Sequence, residues 1–346
     1  MENQEVLRSK PLSYEALKAV LKSLKLETRE AVNRRIPALR TINSRLPYVL
    51  ENVIIENRGF ETNGRRWVIE QTRFQSNPLS HVVEPRMRVV TIYDFNSHKK
   101  AEYRLNKSFE EIWYQLFDEY IRDGTVVRGS LCIDGIPELA KRRENGRDLK
   151  IKVTNLNMYT PNLEDYEQFI RIIDLDVLEN VKCVFGRNSL AILDKPEIKT
   201  CKKLIVMVHD NSGLPSVDQL CRLRNQHLYF TCSNLTLHDL QLFVQDWITT
   251  GRELGTRFSW ETRRFELGDV FPILEHSKTH LGAVEAGSHL DYYFSDKVIH
   301  DNGITVKMGE DRELVMFFKK SKLTCYLWEF EMEVVASTIA ADIVSV

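Results

Sequence analysis

The sequence predicts an α/β protein of mixed α+β type, built from three regions. These are a short helical N-terminal cluster, a β-rich middle, and a C-terminal region of irregular β–α repeats that ends in a β-meander. Three observations carry this. Between residues 11 and 47 the apolar residues recur at helical spacing and are punctuated by prolines. From residue 48 the apolar runs become short, branched and aromatic, as strands require. Beyond residue 149 strand-like and helix-like stretches alternate.

The segment PLSYEALKAVLKSL reads as the first helix. Ser13 is a good N-cap, and Leu12 and Leu17 have the spacing of a hydrophobic staple. Leu17, Val20, Leu21 and Leu24 follow the i, i+3, i+4, i+7 rule of one helical face. A second short helix is expected from Glu27 to Arg35. Pro37 bars its continuation and opens a third, which turns Leu39, Ile42 and Leu46 inward and stops at Pro47. ENVIIE and RRWVIEQTRF then read as strands joined by an Asn63-Gly64 hairpin turn, and RMRVVTIYDF as another. Ser108 and Glu111 form a capping box for a helix from Phe109 to about Arg122, with Gly124 as its stop. Its apolar stripe is Phe109, Ile112, Trp113, Leu116, Phe117 and Tyr120, and the strand GTVVRGSLCIDG follows.

The polar, basic stretch AKRRENGRD, residues 140 to 148, marks a solvated boundary. It divides the chain into a helical module at 11–47, a mixed β–α domain at 48–140 and a β–α domain at 149–335. In the last, LKIKV, KCVF, KLIVMV, HLYFTC and TRFSW read as strands. Asn162, Ser216 with Gln219, and Thr236 with Asp239 cap the helices between them, and Gly251 ends the last. The strands recur about every 23 to 32 residues, near the leucine-rich-repeat period. LYFTCSNLT is similar to the repeat string LxLxxNxLT, and LKIKVTNL matches it more weakly. ITVKM, ELVMFF and TCYLWEFEME form the meander, with Tyr326, Trp328, Phe330 and Met332 on one face of its last strand, and ADIVSV is read as a frayed tail.

Composition narrows the function classes. Hydrophobic residues at 43% are enough for a sizeable core, which excludes wholesale disorder. The 48 basic side chains are matched by 49 acidic ones, so the chain lacks the basic excess of a general nucleic-acid binder. No apolar run reaches the roughly 20 residues of a membrane span. MENQEVLRSK lacks an apolar signal core, so the expected location is intracellular, cytoplasmic or nuclear. The two glycosylation sequons, at Asn106 and Asn234, then read as chance matches. The six cysteines form no CxxC pair and read as buried free thiols.

Motifs for chemistry are sparse. His276 and His280 in HSKTH have i, i+4 spacing, but Ser277 stands where a metalloprotease carries glutamate, so two surface histidines are expected. His209-Asp210 at a strand end has no GxSxG, P-loop or GxGxxG companion and reads as a turn. Cys221 and Cys232 have no second pair to complete a zinc site. The carboxylates lie on capping positions and helix surfaces, with no pair that spacing alone brings together as acid and base. No catalytic residue, cofactor or metal is therefore expected. The five tryptophans, Trp67, Trp113, Trp247, Trp260 and Trp328, are read as mainly core, with interface anchoring as the alternative.

PLSYEALKAVLKSLKLETREAVNRRIPAL resembles the degenerate F-box of the nematode F-box-C family, through Pro11, Leu17, Val20-Leu21, Leu24 and the segment from Arg35 to Leu39. SNLTLHDLQLFVQDWITTG is similar to the family's F-box-associated domain, and the strands between suit its domain of unknown function. One departure is Ile36-Pro37-Ala38-Leu39, which stands where the F-box has a cysteine- and tryptophan-containing helix. The resemblance implies a non-enzymatic substrate receptor of a Skp–cullin–F-box ubiquitin ligase. Pro11, Leu12, Leu17, Val20, Leu21 and Leu24 would then dock a Skp-type adaptor, and the C-terminal domain would bind a protein target. The alternatives are a β–α repeat protein of structural or interaction role without a ubiquitin link, and an enzyme.

Overall fold

The computed structural model describes residues 12–71, 88–135, 149–159, 162–186, 189–208, 215–231, 235–262, 267–285, 303–320 and 328–337. Pro11, the stretch 140–148, His209-Asp210, Cys232, Asn234, Cys325, Tyr326 and the terminal ADIVSV lie outside them. The fold is mixed α+β. The described residues divide into two compact units, drawn from Met1–Cys132, Ile136–Thr154 and Ile170–Val177 in the first, and from Ile133–Gly135, Asn155–Phe169 and Leu178–Val346 in the second.

The first unit opens with α1 (Tyr14–Ser23) and α2 (Leu26–Arg35). As expected, Ser13 caps α1, its Oγ accepting from the Ala16 amide at 3.2 Å. The expected third helix is split. Pro37–Leu39 forms a 3-10 turn with proline at its start, and only Arg40–Ser44 is α-helical, as α3. Of its three inward residues Leu46 is buried, while Leu39 and Ile42 are half-buried; the side chain buried within α3 is instead the polar Asn43.

Next come β1 (Val49–Leu50), β2 (Val53–Glu56), β3 (Gly59–Thr62), β4 (Arg65–Gln71), β5 (Arg88–Asp94) and β6 (Lys99–Leu105). From β2 to β6 successive strands pair antiparallel. The β3–β4 hairpin turns at Asn63 (φ 50°) and Gly64 (φ 78°), both left-handed, as a two-residue hairpin loop demands. A side chain at Gly64 would also meet Asn96 Nδ2 at 2.8 Å. α4 (Phe109–Tyr120) carries the expected capping box and buries Ile112, Trp113, Phe117 and Tyr120. The Tyr120 ring lies 5.5 Å from Phe60 and 5.1 Å from Trp67. β7 (Val126–Asp134) runs parallel to β1, and the first residues of β8 (Ile151–Tyr159) pair with β9 (Ile173–Asp174).

In the second unit the end of β8, then β10 (Asn180–Phe185), β11 (Lys203–Val208), β12 (His227–Thr231) and β13 (Arg257–Thr262), form a parallel sheet in sequence order. The returns carry α5 (Leu163–Ile170), α6 (Pro196–Thr200), α7 (Val217–Cys221) and α8 (Leu237–Thr250). α7 and α8 begin with the expected capping boxes, and Gly251 ends α8 at φ 66°. Strand-by-strand progression with short helical returns is the arrangement the repeat spacing predicted. Polar side chains tie one return to the next: buried Asn225 donates to the Ile198 and Cys201 carbonyls at 2.8 and 2.7 Å. Arg252 makes the equivalent tie in the following return, donating to the carbonyls of Leu223 and Cys221.

After α9 (Leu267–His280), β14 (Val284–Glu285), β15 (Ile304–Lys307), β16 (Arg312–Lys320) and β17 (Trp328–Ala336) form the antiparallel meander. β17 also pairs antiparallel with β13, so the parallel sheet continues into the meander. This covers a strand edge that would otherwise expose unpaired amides and carbonyls. Phe258 sits at the seam, fully buried, its ring 4.9 Å from Phe243, 6.1 Å from Phe230 and 6.3 Å from Phe330. Phe258→Ala is expected to lower stability by about 3–5 kcal/mol. Urea denaturation followed by tryptophan fluorescence measures this, and a loss under about 1 kcal/mol would show that the seam repacks without it.

Candidate partner-binding surface on the N-terminal helices

α1 is an amphipathic helix whose apolar residues divide between two environments. Leu21 is 1% exposed and anchors the helix to the first unit, while Leu17 and Leu24 are half-buried at the margin. Leu12 is 61% exposed, Tyr14 51% and Val20 42%. Leu12 therefore stays largely outside the expected staple with Leu17. Ile36, at the C-terminal end of α2, adds a fourth exposed apolar side chain. Of the residues expected to dock an adaptor, Leu12 and Val20 face water, Leu17 and Leu24 are half-buried, Leu21 is internal, and Pro11 lies outside the described residues. Tyr14 and Ile36 were not among the residues expected to dock, because exposure depends on where the rest of the cluster packs.

The cluster beneath α1 is fixed by polar groups as much as by leucines. α2 buries Leu26 and Arg29, and Arg29 is only 1% exposed. Its guanidinium donates to the Pro47 carbonyl at 2.7 Å, the Leu46 carbonyl at 2.9 Å and the Asn43 carbonyl at 3.2 Å, and bonds the Asn43 side chain. The Leu46 and Pro47 carbonyls lie past the end of α3, beyond the reach of its own amides, and the Asn43 carbonyl also accepts from the Leu46 amide at 3.1 Å. Arg122 reaches the Leu46 carbonyl at 3.1 Å and shares the Asn43 carbonyl. The Tyr48 ring lies 4.1 Å from the Arg29 guanidinium carbon and 4.6 Å from that of Arg122, a double cation–π contact. Burial lowers the Arg29 pKa, and the charge of Arg122 adds to that shift.

The second unit holds a charged constellation that strand-by-strand reading missed. Phe330 and Met332 of β17 share a buried face, as the alternation predicts, but Glu329 and Glu331 on the opposite face are buried too. Register places Glu261 of β13 directly opposite Glu329, with Lys319 of β16 on its other side. Lys319 Nζ lies 3.0 Å from Glu329 and also contacts Glu331, and Arg257 donates to Glu331 at 2.6 Å. Three glutamates thus meet on one sheet face, correcting the expectation that carboxylates lie only on caps and helix surfaces. Burial and a hydrogen bond with Glu261 raise the Tyr229 pKa. These side chains engage one another across the sheet as an ion-pair ladder.

The other motifs are plainer. His276 and His280 stack at 4.4 Å on α9, half-buried and exposed respectively. Among the described residues no three His, Cys, Asp or Glu side chains are grouped to hold a metal ion. Cys183 and Cys201 are buried free thiols, and burial pushes Cys201 up to about 12; Cys132 and Cys221 are half-buried. Trp67, Trp113, Trp247 and Trp260 are core residues, which removes them as interface anchors. Among the described residues no helix is long and apolar enough to cross a membrane.

Glu329 makes the ladder testable. Burial, with its hydrogen bond to Glu331, raises its pKa from 4.5 to about 7, against the opposing pull of Lys319. The folded state then keeps a proton that the unfolded chain has released, so this group's stabilising contribution falls as pH rises from 4.5 to about 7. Glu329→Gln is expected to melt near the wild-type temperature at pH 5 and above it at pH 8. Coincident thermal melts at both pH values would refute this.

No curated protein and no solved structure matches the chain. The family described as "Domain of unknown function (DUF3557)" matches residues 115–264, a range that begins inside α4, ends just beyond β13, takes in SNLTLHDLQLFVQDWITTG, and leaves the N-terminal helices outside it.

Proposed function

We propose that the protein is a non-catalytic, substrate-recruiting adaptor of a Skp–cullin–F-box type ubiquitin ligase, acting inside the cell. In this reading the outer face of α1 docks a Skp-type adaptor and the second unit binds a protein target. It also places the chain with the nematode F-box-C proteins, on the strength of the motifs at 11–39 and 233–251.

One observation carries the reading. α1 has its own anchor in Leu21, yet keeps Leu12, Tyr14 and Val20 in water. A ten-residue helix is marginal alone and needs packing on its apolar side. Here that need is met by the inner face, so the outer side chains are left over for a partner. They lie within the stretch that resembles an F-box. In repeat sheets of this kind recognition is ordinarily carried by strand-end loops and the extended sheet surface, which suits the second unit to a protein target.

The geometry also selects the test. Leu21→Asp forces a charge into the core and reports folding. Tyr14→Asp with Val20→Asp alters only exposed positions. Burial of a valine or tyrosine side chain contributes roughly 1.5–3 kcal/mol, so this pair is expected to weaken adaptor binding by more than about tenfold while leaving the melting temperature within about 2 °C. Co-purification with a Skp-type adaptor and thermal melts measure both. If wild type captures no adaptor, or the exposed pair binds as well as wild type, α1 is a cap of its own unit and the repeat-protein reading without a ubiquitin link takes over.

A further inference from the structure

A second feature of the first unit is electrostatic. The chain is nearly neutral, at −1, but residues 12–47 hold eight lysines and arginines against three glutamates, an excess of five positive charges. Some of that excess gathers around an open groove of about 310 Å³ on the first unit. Asn33 and Arg34 of α2, Arg40 and Ser44 of α3, and Glu119 and Arg122 at the end of α4 line it.

The cations of this groove lack enough anions. Arg122 pairs with Glu119 at 2.9 Å. Arg40 donates its Nε to the Asn33 carbonyl at 3.2 Å, and among the described residues neither it nor Arg34 pairs with a carboxylate. Behind the wall lies buried Arg29, bonded through Asn43, which also lines the groove. Its donors meet neutral groups only, the Asn43 side chain and three carbonyls. Buried charges are ordinarily paired, so a guanidinium held by neutral oxygens leaves a positive field at the groove. Four guanidinium groups thus act there against one carboxylate.

We propose that this groove receives a carboxylate-bearing acidic segment of a protein partner. Guanidinium groups match a carboxylate in charge and in planar, two-point geometry, and Arg34 and Arg40 have donors to spare. Glu119 on the wall decides between anions. It repels a doubly charged phosphate about twice as strongly as a single carboxylate at the same distance. The balanced charge of the whole chain likewise disfavours a nucleic-acid backbone. Asn33 and Ser44 add neutral hydrogen-bonding capacity for peptide groups. This surface is separate from the exposed side chains of α1, and its test requires no Skp-type adaptor.

The test uses the full chain and fluorescein-labelled hexaglutamate, followed by anisotropy at low salt. Saturable binding is expected, weakened at least about tenfold by Arg34→Glu with Arg40→Glu, since charge reversal replaces attraction by repulsion. The charge-matched control is Lys99→Glu with Lys100→Glu on exposed β6, expected to stay within about twofold of wild type. Thermal melts of both variants confirm that each is folded. Absence of binding, equal loss in both variants, or stronger binding of inorganic phosphate or oligothymidylate than of hexaglutamate each overturns the proposal.

Discussion

Short helices leave carbonyls without partners at their ends, and this protein depends on side chains to supply them. In the first unit Arg29 gathers the carbonyls of Asn43, Leu46 and Pro47. In the second, Asn225 and Arg252 do the same for successive returns of the repeat sheet. Each of these three side chains is buried. A buried carbonyl left unpaired costs about 1–3 kcal/mol, and some of these carbonyls are held twice: Arg122 also bonds those of Asn43 and Leu46, and Arg224 that of Cys221. The helices themselves are as short as five residues in α3, α6 and α7. Such lengths do not hold by propensity, and tertiary bonds to their ends supply what local structure lacks.

This dependence shapes the N-terminal cluster. α2 has little apolar periodicity, yet it is locked by one arginine rather than by a hydrophobic stripe. Because Arg29 and Leu21 hold the interior, the outer side of α1 is left out of it. The same device concentrates positive charge beside Asn43, where Arg122 joins the bonded set. Exposed apolar side chains and a cationic groove therefore arise in one small module from a single packing solution.

The second unit solves another problem at its sheet edge. A parallel repeat sheet ending at β13 would leave that strand's hydrogen-bonding edge open. Pairing with β17 covers it and places the glutamates of EFEME against Glu261, Lys319 and Arg257. Like charges opposite one another are tolerated because a lysine stands on the far side of Glu329 and because that carboxyl keeps its proton up to near neutrality. The ladder thus couples the meander to the repeats through charge on one face, while Phe258 and Phe330 join them through packing on the other.

The sequence by itself determined the local structure: the caps at Ser13, Ser108, Ser216 and Thr236, the Asn63-Gly64 turn, the stop at Gly251 and the repeat spacing of the parallel strands. Each of these is written in a few adjacent residues, because capping and turn geometry span one turn of chain. It also marked Leu17, Val20, Leu21 and Leu24 as one apolar face. Only the tertiary structure decided which of them is internal, since helical spacing defines a face but not what packs on it. The same holds for α3, shortened because a 3-10 turn follows Pro37, and for Arg29, whose polar side chain gave no sign of burial. It holds most for Glu261, Glu329 and Lys319, which meet across two strand pairings, Glu261 being 68 residues from Glu329 in the sequence. Strand alternation tells which residues share a face, but register between distant strands is set by the packing of the whole sheet.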